Sequence, residues 1–490
     1  MKDLKMLAID LGASSGRGII GHYDGNKITL EENHRFSNDP VMVCNQYTWD
    51  ILRIWFEIKN SIRKCSISGD SDVKSIGIDT WGVDYGLLDK NGRLKSNPVH
   101  YRDVRTVGMI DESTNLVSKD ELYDKTGIQL LELNTVYQLL ANMKENKEDL
   151  ETASCMLHTP DLLNYFLTGI KKTEYTIAST GGLVSPFTRD WEYSLIEKYG
   201  LPKHLFTEIV EPGTILGDLL DDVKEDLNGM SPKVVNVAAH DTGSAVVAVP
   251  SPKEKFLFIS SGTWSIMGTE THKPIVNEKT KEYNFTNEGG YGGTYRFSKN
   301  ITGLWLEQES RRQWAREGEK YSFDELTQMA LDSKPLKYLI NPDDSLFATP
   351  GNLPKRIVDY CVNTNQGAPS TKGEIVRCIF DSIALRYRWV KEKTMELSGE
   401  NISCVNIVGG GTKEKMLSQI ASSACNLPVY TGPVEATALG NIATQAIALG
   451  EIKDIEEARE VIKNSTEMET FYPENTEMYD EGYERFLKLL

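Results

Sequence analysis

Long apolar runs and an excess of positive charge are both missing from this sequence of 490 residues. No stretch approaches the ~20 apolar residues that a membrane-spanning helix needs. The first apolar run, residues 6–9, ends at Asp10 and is too short for a secretory signal. The formal net charge of −17 would repel nucleic acids and anionic membranes. We therefore expect a cytoplasmic protein with neither kind of partner, in which local groups hold any anionic ligand.

Cysteine pairs with metal-binding spacing are missing as well. The seven cysteines are odd in number, widely spread and never spaced as Cys-X-X-Cys; they stand at positions 44, 65, 155, 361, 378, 404 and 425. This distribution is typical of buried free thiols rather than of a zinc site or a disulfide framework.

Two common nucleotide-binding signatures are also absent. The chain has no Gly-Lys dipeptide, which excludes a Walker loop. Gly16, Gly18 and Gly21 match the Gly-X-Gly-X-X-Gly pattern of dinucleotide-binding folds. Only five residues separate Gly18 from the turn at Asp24, however, which leaves no room for the crossover helix of that fold.

The chain is too long for one ordinary core, so we expect two domains with a break near residues 247–255. Strand-like runs alternate with helical patterns, which indicates α/β architecture with mixed sheets. One helix is predicted after Asp50, where apolar residues recur at spacings of three and four, and a long one from Glu374 to about Leu397. Asp50 is a candidate N-cap.

Two stretches share a pattern of strand, glycine-serine turn and second strand, at residues 6–25 and 255–268. Their sequence identity is weak, but the shared pattern suggests a structural duplication. The turn Gly12–Arg17 offers bare backbone N–H groups, two hydroxyls and a guanidinium, which are anion-binding groups. The turn around Gly262 has similar chemistry, and Gly409–Gly411 join a strand to a helix. The Gly409–Gly411 turn is also explained as a tight turn alone.

Two aspartates stand where they could act on phosphate chemistry. Asp10 ends the first strand beside the first turn, so it could share a divalent cation with a phosphate, or merely cap its own turn. Asp241 follows a strand and opens a helix, where it could accept a proton or merely serve as N-cap. Together with the three glycine turns, the two acids favour phosphoryl transfer.

The motifs, taken in order, resemble those of the FGGY carbohydrate kinases and, within that family, the rhamnulokinase subfamily. They cover roughly residues 5–445 and read IDLGASSGR, IDTWGVDYGLLD, YRDVRT, LNTVYQL, HDTGSAV, SSGTWSIMG, NEGG, NITGLWLEQ, IVGGG and GPVEATALGNI. Ala13 replaces the threonine of most FGGY kinases, as it does in that subfamily. Gly243 and the glycine-rich residues 289–293 depart from the pattern.

The resemblance implies an α/β fold of two duplicated ribonuclease H-like domains, of the actin/sugar-kinase ATPase superfamily, around a central cleft. We expect an N-terminal domain at residues 1–248, a C-terminal domain at 249–450 and a helical tail at 451–490 packed on the second domain. The implied reaction transfers phosphate from ATP to O1 of L-rhamnulose. The implied partner is thus a small ketose, and the expected state is a monomer or weak homodimer.

The resemblance also implies the site residues. Asp241 would accept the proton, and the sugar-binding residues would be Gly82, His240, Asp241, Thr242 and Asn300. ATP would be bound by Ala13, Ser14, Ser15, Gly16, Arg17, Thr263, Gln308 and Gly410, with Asp10 acting through Mg²⁺. Some relatives have a cysteine pair spaced like Cys361 and Cys378, proposed as a disulfide, but here we expect thiols.

Two alternatives stay open. Another FGGY ketose kinase, acting on L-fuculose, xylulose or ribulose, would have the same motifs. A nucleotide-gated interaction protein resembling actin would have the same phosphate turns without sugar chemistry, although Asp241 and the polar turn around Gly82 disfavour it.

Overall fold

A computed structural model describes residues 4–250 and 255–490, which form two compact units. Unit 1 contains the described parts of Met1–Pro252, together with Glu270–Phe297 and Ala436–Thr466. Unit 2 contains the described part of Lys253–Thr269, together with Ser298–Glu435 and Glu467–Leu490. Both units are therefore assembled from segments that are distant in sequence.

The strands are β1 Leu4–Leu11, β2 Ser15–Tyr23, β3 Ile28–Ser37, β4 Val41–Val43, β5 Gln46–Thr48, β6 Ser75–Thr80, β7 Tyr85–Leu88, β8 Cys155–His158, β9 Thr173–Glu174, β10 Val184–Ser185, β11 Asp190–Trp191, β12 Ile209–Val210, β13 Thr214–Gly217, β14 Lys233–Asn236, β15 Phe256–Ser261, β16 Trp264–Thr271, β17 Thr286–Gly289, β18 Tyr295–Thr302, β19 Cys404–Val408, β20 Val429–Thr431 and β21 Glu469–Phe471. The helices are α1 Ile51–Ser68, α2 Met109–Ser113, α3 Lys119–Thr126, α4 Thr135–Thr152, α5 Thr159–Thr168, α6 Tyr175–Ala178, α7 Tyr193–Lys198, α8 Asp221–Asp226, α9 Asp241–Val247, α10 Glu278–Glu282, α11 Trp305–Arg316, α12 Phe323–Leu331, α13 Leu353–Asn363, α14 Lys372–Ser398, α15 Lys415–Cys425, α16 Ala436–Ala448, α17 Ile455–Ser465 and α18 Thr476–Phe486.

The main sheet of unit 1 has six strands in the order β13-β14-β6-β1-β2-β3. Strands β1 and β2 pair antiparallel across the first glycine turn, whereas β6 lies parallel to β1 on its other side. β2 runs through all three glycines of the Gly-X-Gly-X-X-Gly pattern and leads directly to the turn at Asp24. The prediction that no crossover helix follows this pattern is confirmed.

The sheet of unit 2 repeats this arrangement. β15 pairs antiparallel with β16 and parallel with β19, and β19 in turn pairs parallel with β20. In unit 1 the equivalent strands are β1, β2, β6 and β14, with the same directions. The duplication suggested by the two strand-turn-strand stretches is thus present in the topology.

The two predicted helices exist close to their predicted bounds. The side chain of Asp50 accepts the N–H of Arg53 and caps α1, as expected. The apolar residues at spacings of three and four, including Ile54, Ile58 and Ile62, are buried in one core with Ile9 of β1. The long helix is α14, Lys372–Ser398. Helical periodicity therefore located both helices correctly.

The segment Ala436–Thr466 belongs to unit 1 although it lies late in the sequence. It contains α17, whereas β21 and α18 of the same C-terminal region belong to unit 2. The predicted linker at residues 247–255 includes residues 251–254, which lie outside the described residues. The predicted sequence boundaries after residues 248 and 450 remain a proposal.

All seven cysteines lie in the described ranges as free thiols, and only Cys44 is exposed. The Cys361 and Cys378 thiols interact, which lowers the pKa of Cys361, while burial raises that of Cys378.

Within residues 4–250 and 255–490, no helix combines the length and the apolar character that crossing a bilayer requires.

Candidate functional site

The first glycine turn has two exposed residues, while others form hydrogen bonds within the turn or pack against the protein. Ala13 and Ser14 are exposed, whereas the Gly12 N–H donates to the carbonyl of Ser15 at 2.9 Å. A Cβ on Gly16 would overlap the Phe36 ring, so this glycine serves packing. The exposed tip is the part of the predicted phosphate loop that a ligand can approach.

Arg17, predicted at the phosphates, is paired with the predicted magnesium residue. Asp10 and Arg17 face each other across β1 and β2, and Arg17 Nη2 lies 2.5 Å from Asp10 Oδ2. The alternative in which Asp10 merely caps its own turn does not account for this ion pair with Arg17. A phosphate that engages Arg17 would compete with Asp10 for this guanidinium.

A second aspartate, which sequence reasoning missed, lies beside Asp10. Asp79 of β6 is the register partner of Asp10 and is fully buried. Asn441 of α16 donates to Asp79 Oδ2 at 2.6 Å, and Asp79 Oδ1 has no hydrogen-bond partner within the described ranges. Burial raises the pKa of Asp79 well above its usual value, and the charges of Asp10 and Asp241 raise it further.

This group of acids fits a magnesium site that is completed by a ligand. In the parts of the chain that the structure describes, no group of three or more His, Cys, Asp or Glu side chains could hold a metal ion. Mg²⁺ in nucleotide sites, however, usually takes one or two carboxylates plus phosphate oxygens and water. Asp10 lies next to Asp79, whose Oδ1 has no hydrogen-bond partner among the described residues. This pair meets that requirement, because a cation would relieve the repulsion between the two carboxylates.

Asp241 is the first residue of α9, and His240 occupies the N-cap position. The N-cap alternative for Asp241 is therefore wrong. Its Oδ1 accepts the N–H of Thr242 at 2.6 Å, and about a third of its side chain remains exposed (32%). Asp241 is thus an accessible carboxylate at the start of a helix.

A buried carboxyl group holds the backbone that leads into α9. Glu174 Oε2 accepts the Ala239 N–H at 3.2 Å and the Thr176 hydroxyl at 2.5 Å, and that hydroxyl accepts the His240 N–H at 3.2 Å. Burial raises the pKa of Glu174 to about 7, although its hydrogen bonds favour the anion. Glu174 and Thr176 thus hold the backbone N–H groups of the two residues before Asp241.

The His240 ring lies between Asp241 and a buried ion pair. His240 Nε2 is 3.5 Å from Asp241 Oδ1. On the other side of the ring, Nδ1 is 2.9 Å from Arg296 Nη2 and 3.2 Å from Glu288 Oε2. Burial would raise the pKa of Glu288, but the charge of Arg296 lowers it to about 2.

The turn that contains Gly82 is held in a strained conformation. Val83 has φ of 68°, which is a true outlier for a β-branched residue. The Thr180 hydroxyl accepts the Val83 N–H at 3.0 Å, and the Thr135 hydroxyl donates to the Val83 carbonyl at 2.6 Å. Such strain persists only where surrounding contacts fix it, and it clusters at functional sites.

In unit 2 the structure brings two predicted ATP residues into contact. The Thr263 hydroxyl donates to Gln308 Oε1 at 3.1 Å. Close by, a Cβ on Gly411 would overlap Ser261 Oγ, whereas one on Gly410 would meet nothing within 4 Å. Gly410 is thus the member of the Gly409–Gly411 turn that leaves room for a ligand.

The predicted sugar residues do not all belong to one unit. Gly82, His240, Asp241 and Thr242 belong to unit 1, whereas Asn300 lies on β18 in unit 2. The role of Asn300 on the sugar remains a prediction. The residues missed from the sequence are Asp79, Glu174, Glu288, Arg296 and Asn441. Only Asp79 had a usable signal, because Ile78-Asp79 repeats the Ile9-Asp10 pattern at a strand end.

Solved structures of low sequence identity share the fold of this chain. A ligand-bound xylulose kinase from Lactobacillus acidophilus superimposes with a TM-score of 0.84 at 14% identity, over 99% of this chain and 97% of that chain. A glycerol kinase with ADP from Plasmodium falciparum gives a TM-score of 0.81 at 15% identity, over 99% of this chain and 98% of that chain.

Curated sequences are far more similar. A rhamnulokinase of Bacteroides thetaiotaomicron is 42% identical over 479 residues, 98% of each chain. A rhamnulokinase of Oceanobacillus iheyensis is 42% identical over 465 residues, 95% of this chain and 97% of the relative. The N-terminal domain of the FGGY family of carbohydrate kinases matches residues 5–248 and the C-terminal domain matches residues 257–449. The chain therefore belongs to the FGGY family of carbohydrate kinases.

Proposed function

We propose that this protein transfers the γ-phosphoryl group of ATP to O1 of L-rhamnulose, giving L-rhamnulose 1-phosphate and ADP. The observation that carries this proposal is the 42% identity to a rhamnulokinase over 98% of both chains. The geometry of unit 1 supports it, because an accessible carboxylate, Asp241, lies beside His240 near the two strand-end aspartates.

Asp241 accepts the proton of the attacking hydroxyl as the bond to phosphorus forms. It is the first residue of α9, and Glu174 and Thr176 hold the backbone N–H groups of the two residues before it. His240, Thr242, Gly82 and Asn300 bind the other sugar hydroxyls. Positioning and charge neutralisation, rather than covalent chemistry, supply most of the catalysis in phosphoryl transfer.

Residues of the three glycine turns, together with Gln308, bind the nucleotide. The first hairpin turn, Ala13 to Arg17, binds the phosphates, while Thr263, Gln308 and Gly410 bind elsewhere on ATP. Asp10, with Asp79 beside it, would hold Mg²⁺, which supplies neutralisation of the charge on the phosphate oxygens. Seven free cysteines fit a reducing cytoplasm, where the protein acts as a monomer or weak homodimer.

The deciding experiment measures sugar-dependent ADP formation with L-rhamnulose, L-fuculose, xylulose and ribulose at equal concentrations. We expect the highest kcat/KM with L-rhamnulose. A clear preference for another ketose would replace this substrate by that one within the same family. If no ketose stimulates ADP formation, the actin-like alternative, a nucleotide-gated protein without sugar chemistry, takes its place.

A further inference from the structure

Arg296 is an unusual residue for the place it occupies. Its side chain is fully buried (0% exposed) in unit 1, where a charged guanidinium is costly unless it is paired. Glu288 supplies the counter-charge, with 2.9 Å between Arg296 Nη2 and Glu288 Oε2. Arg296 Nε also donates to the Gly289 carbonyl at 2.8 Å, which fixes the plane of the guanidinium. The position of the ion pair is therefore fixed.

The ion pair of Arg296 and Glu288 also contacts the His240 ring. Arg296 Nη2 lies 2.9 Å from His240 Nδ1. A guanidinium can only donate, so Nδ1 must accept, and in a neutral imidazole the proton is then on Nε2. Glu288 Oε2 is 3.2 Å from the same Nδ1, but Arg296 Nη2 lies closer to both groups, at 2.9 Å from each, and an N–H on Nδ1 would point at this donor. The contact with Arg296 therefore decides the tautomer.

The opposite edge of the ring faces the reacting group. Nε2 lies 3.5 Å from Asp241 Oδ1, and the His240 backbone is tied to Thr176. The hydrogen bond from the His240 backbone N–H to Thr176 fixes the main chain, and the hydrogen bond from Arg296 to Nδ1 fixes the ring. The Nε2–H group therefore points in one direction. A hydroxylated ligand at Asp241 meets a fixed donor at Nε2 beside a fixed acceptor at the carboxylate.

We propose that Arg296, with Glu288 as its counter-charge, is a positioning residue that holds His240 as the Nε2–H tautomer directed toward Asp241. This inference rests on the proposed function, in which His240 and Asp241 line the sugar site. It assigns to the pair a role in orienting the ketose, because a donor and an acceptor side by side match one hydroxyl group that gives up a proton and receives a hydrogen bond.

The direct test is the ¹⁵N spectrum of the imidazole nitrogens in the full chain labelled at histidine. The chain has seven histidines, and the His240 signals are identified as those lost in His240→Gln. We expect wild-type His240 to show an unprotonated Nδ1 and a protonated Nε2, and Arg296→Met to lose this pattern. A wild-type His240 signal with the proton on Nδ1 overturns the proposal even if Arg296→Met does not fold.

A matched control is Arg459→Met. Arg459 is also buried in unit 1 and also pairs with a carboxylate, Glu270, at 2.6 Å, but it binds the Val246 carbonyl rather than His240. Losing this buried charge should leave the His240 tautomer unchanged. If Arg459→Met alters the tautomer as much as Arg296→Met does, general loss of packing explains both and the proposal fails.

Kinetics provide the second readout. In Arg296→Met we expect kcat with L-rhamnulose to fall about 100-fold, as for misplacement of a reacting group, while the KM for ATP stays within about twofold. Unchanged kcat contradicts the proposal. The tautomer measurement is independent of which sugar is the substrate. A ketose panel that fails while the spectrum behaves as expected would reject the proposed function and keep the positioning role.

Discussion

Asp10 and Asp79 are register partners on the adjacent parallel strands β1 and β6. The structure therefore places two carboxylates side by side near the carboxyl ends of the two central strands of one sheet. Asp79 is buried and held by Asn441, whereas Asp10 faces Arg17. Burial raises the pKa of Asp79 well above its usual value, and the nearby charge of Asp10 raises it further. The position of the pair supports the proposed role of Asp10 in binding Mg²⁺.

Asp10→Asn should therefore weaken the use of magnesium. We expect the Mg²⁺ concentration for half-maximal ADP formation to rise about tenfold or more, because one of the few protein ligands is lost. Asp39→Asn is the control, since Asp39 is exposed and follows Asn38, which binds the same turn. An Mg²⁺ titration of Asp10→Asn that matches wild type would contradict the assignment.

Asp241→Asn should abolish most of the turnover and spare nucleotide binding. Loss of a general base typically costs about 10²- to 10⁴-fold in rate, so we expect kcat to fall by that factor while ATP affinity stays within about twofold. Asp221→Asn is the matched control, because Asp221 is also the first residue of a short helix but is almost fully exposed. Near-wild-type turnover in Asp241→Asn would refute the role.

Neighbouring glycines of the third turn should respond in opposite ways to the same substitution. Gly411→Ala places a methyl group onto Ser261 Oγ, so we expect a loss of about 1–3 kcal/mol in unfolding free energy. Gly410→Ala meets open space, so stability should change by less than about 0.5 kcal/mol. If Gly410 faces the nucleotide, its methyl group should instead raise the KM for ATP about tenfold. Denaturant unfolding and ATP kinetics distinguish the two; equal destabilisation by both variants contradicts this account.

Glu307 should make unit 2 less stable as pH rises. Burial, together with the charge of Glu414, raises the pKa of Glu307 from 4.5 to about 8. The folded chain therefore keeps this proton where the unfolded chain releases it. The resulting stability is complete below about pH 4.5 and is lost as the pH rises to about 8.

Glu307→Gln removes this dependence because an amide does not titrate. Relative to wild type, we expect the variant to gain stability from pH 5 to pH 8, on the order of a few kcal/mol, and no further above that. Thermal unfolding at pH 5, 7 and 9 measures it. Glu317→Gln, an exposed position just after the same helix, is the control. A pH-independent difference for Glu307→Gln would rule out the buried acid as the cause.

Local patterns in the sequence were sufficient to predict the helices α1 and α14 and the glycine turns that follow strands. The apolar spacing after Asp50 gave α1, and the short distance from Gly18 to Asp24 excluded a crossover helix, because both depend on neighbouring residues only. The motifs around Asp10, Asp241 and Gly410 likewise led to the kinase family, and the family match confirms that step.

What the sequence determined by itself was the two helices α1 and α14, the two strand-turn-strand stretches and the kinase family, since these follow from short-range periodicity and contiguous motifs. Only the tertiary structure decided which charges meet. Parallel pairing of β1 and β6 brought Asp79 to Asp10, and Arg296, 56 residues from His240, reached its ring. Such contacts join residues far apart in sequence, where no spacing rule relates one side chain to another, and they depend on how buried charges find partners in the folded chain.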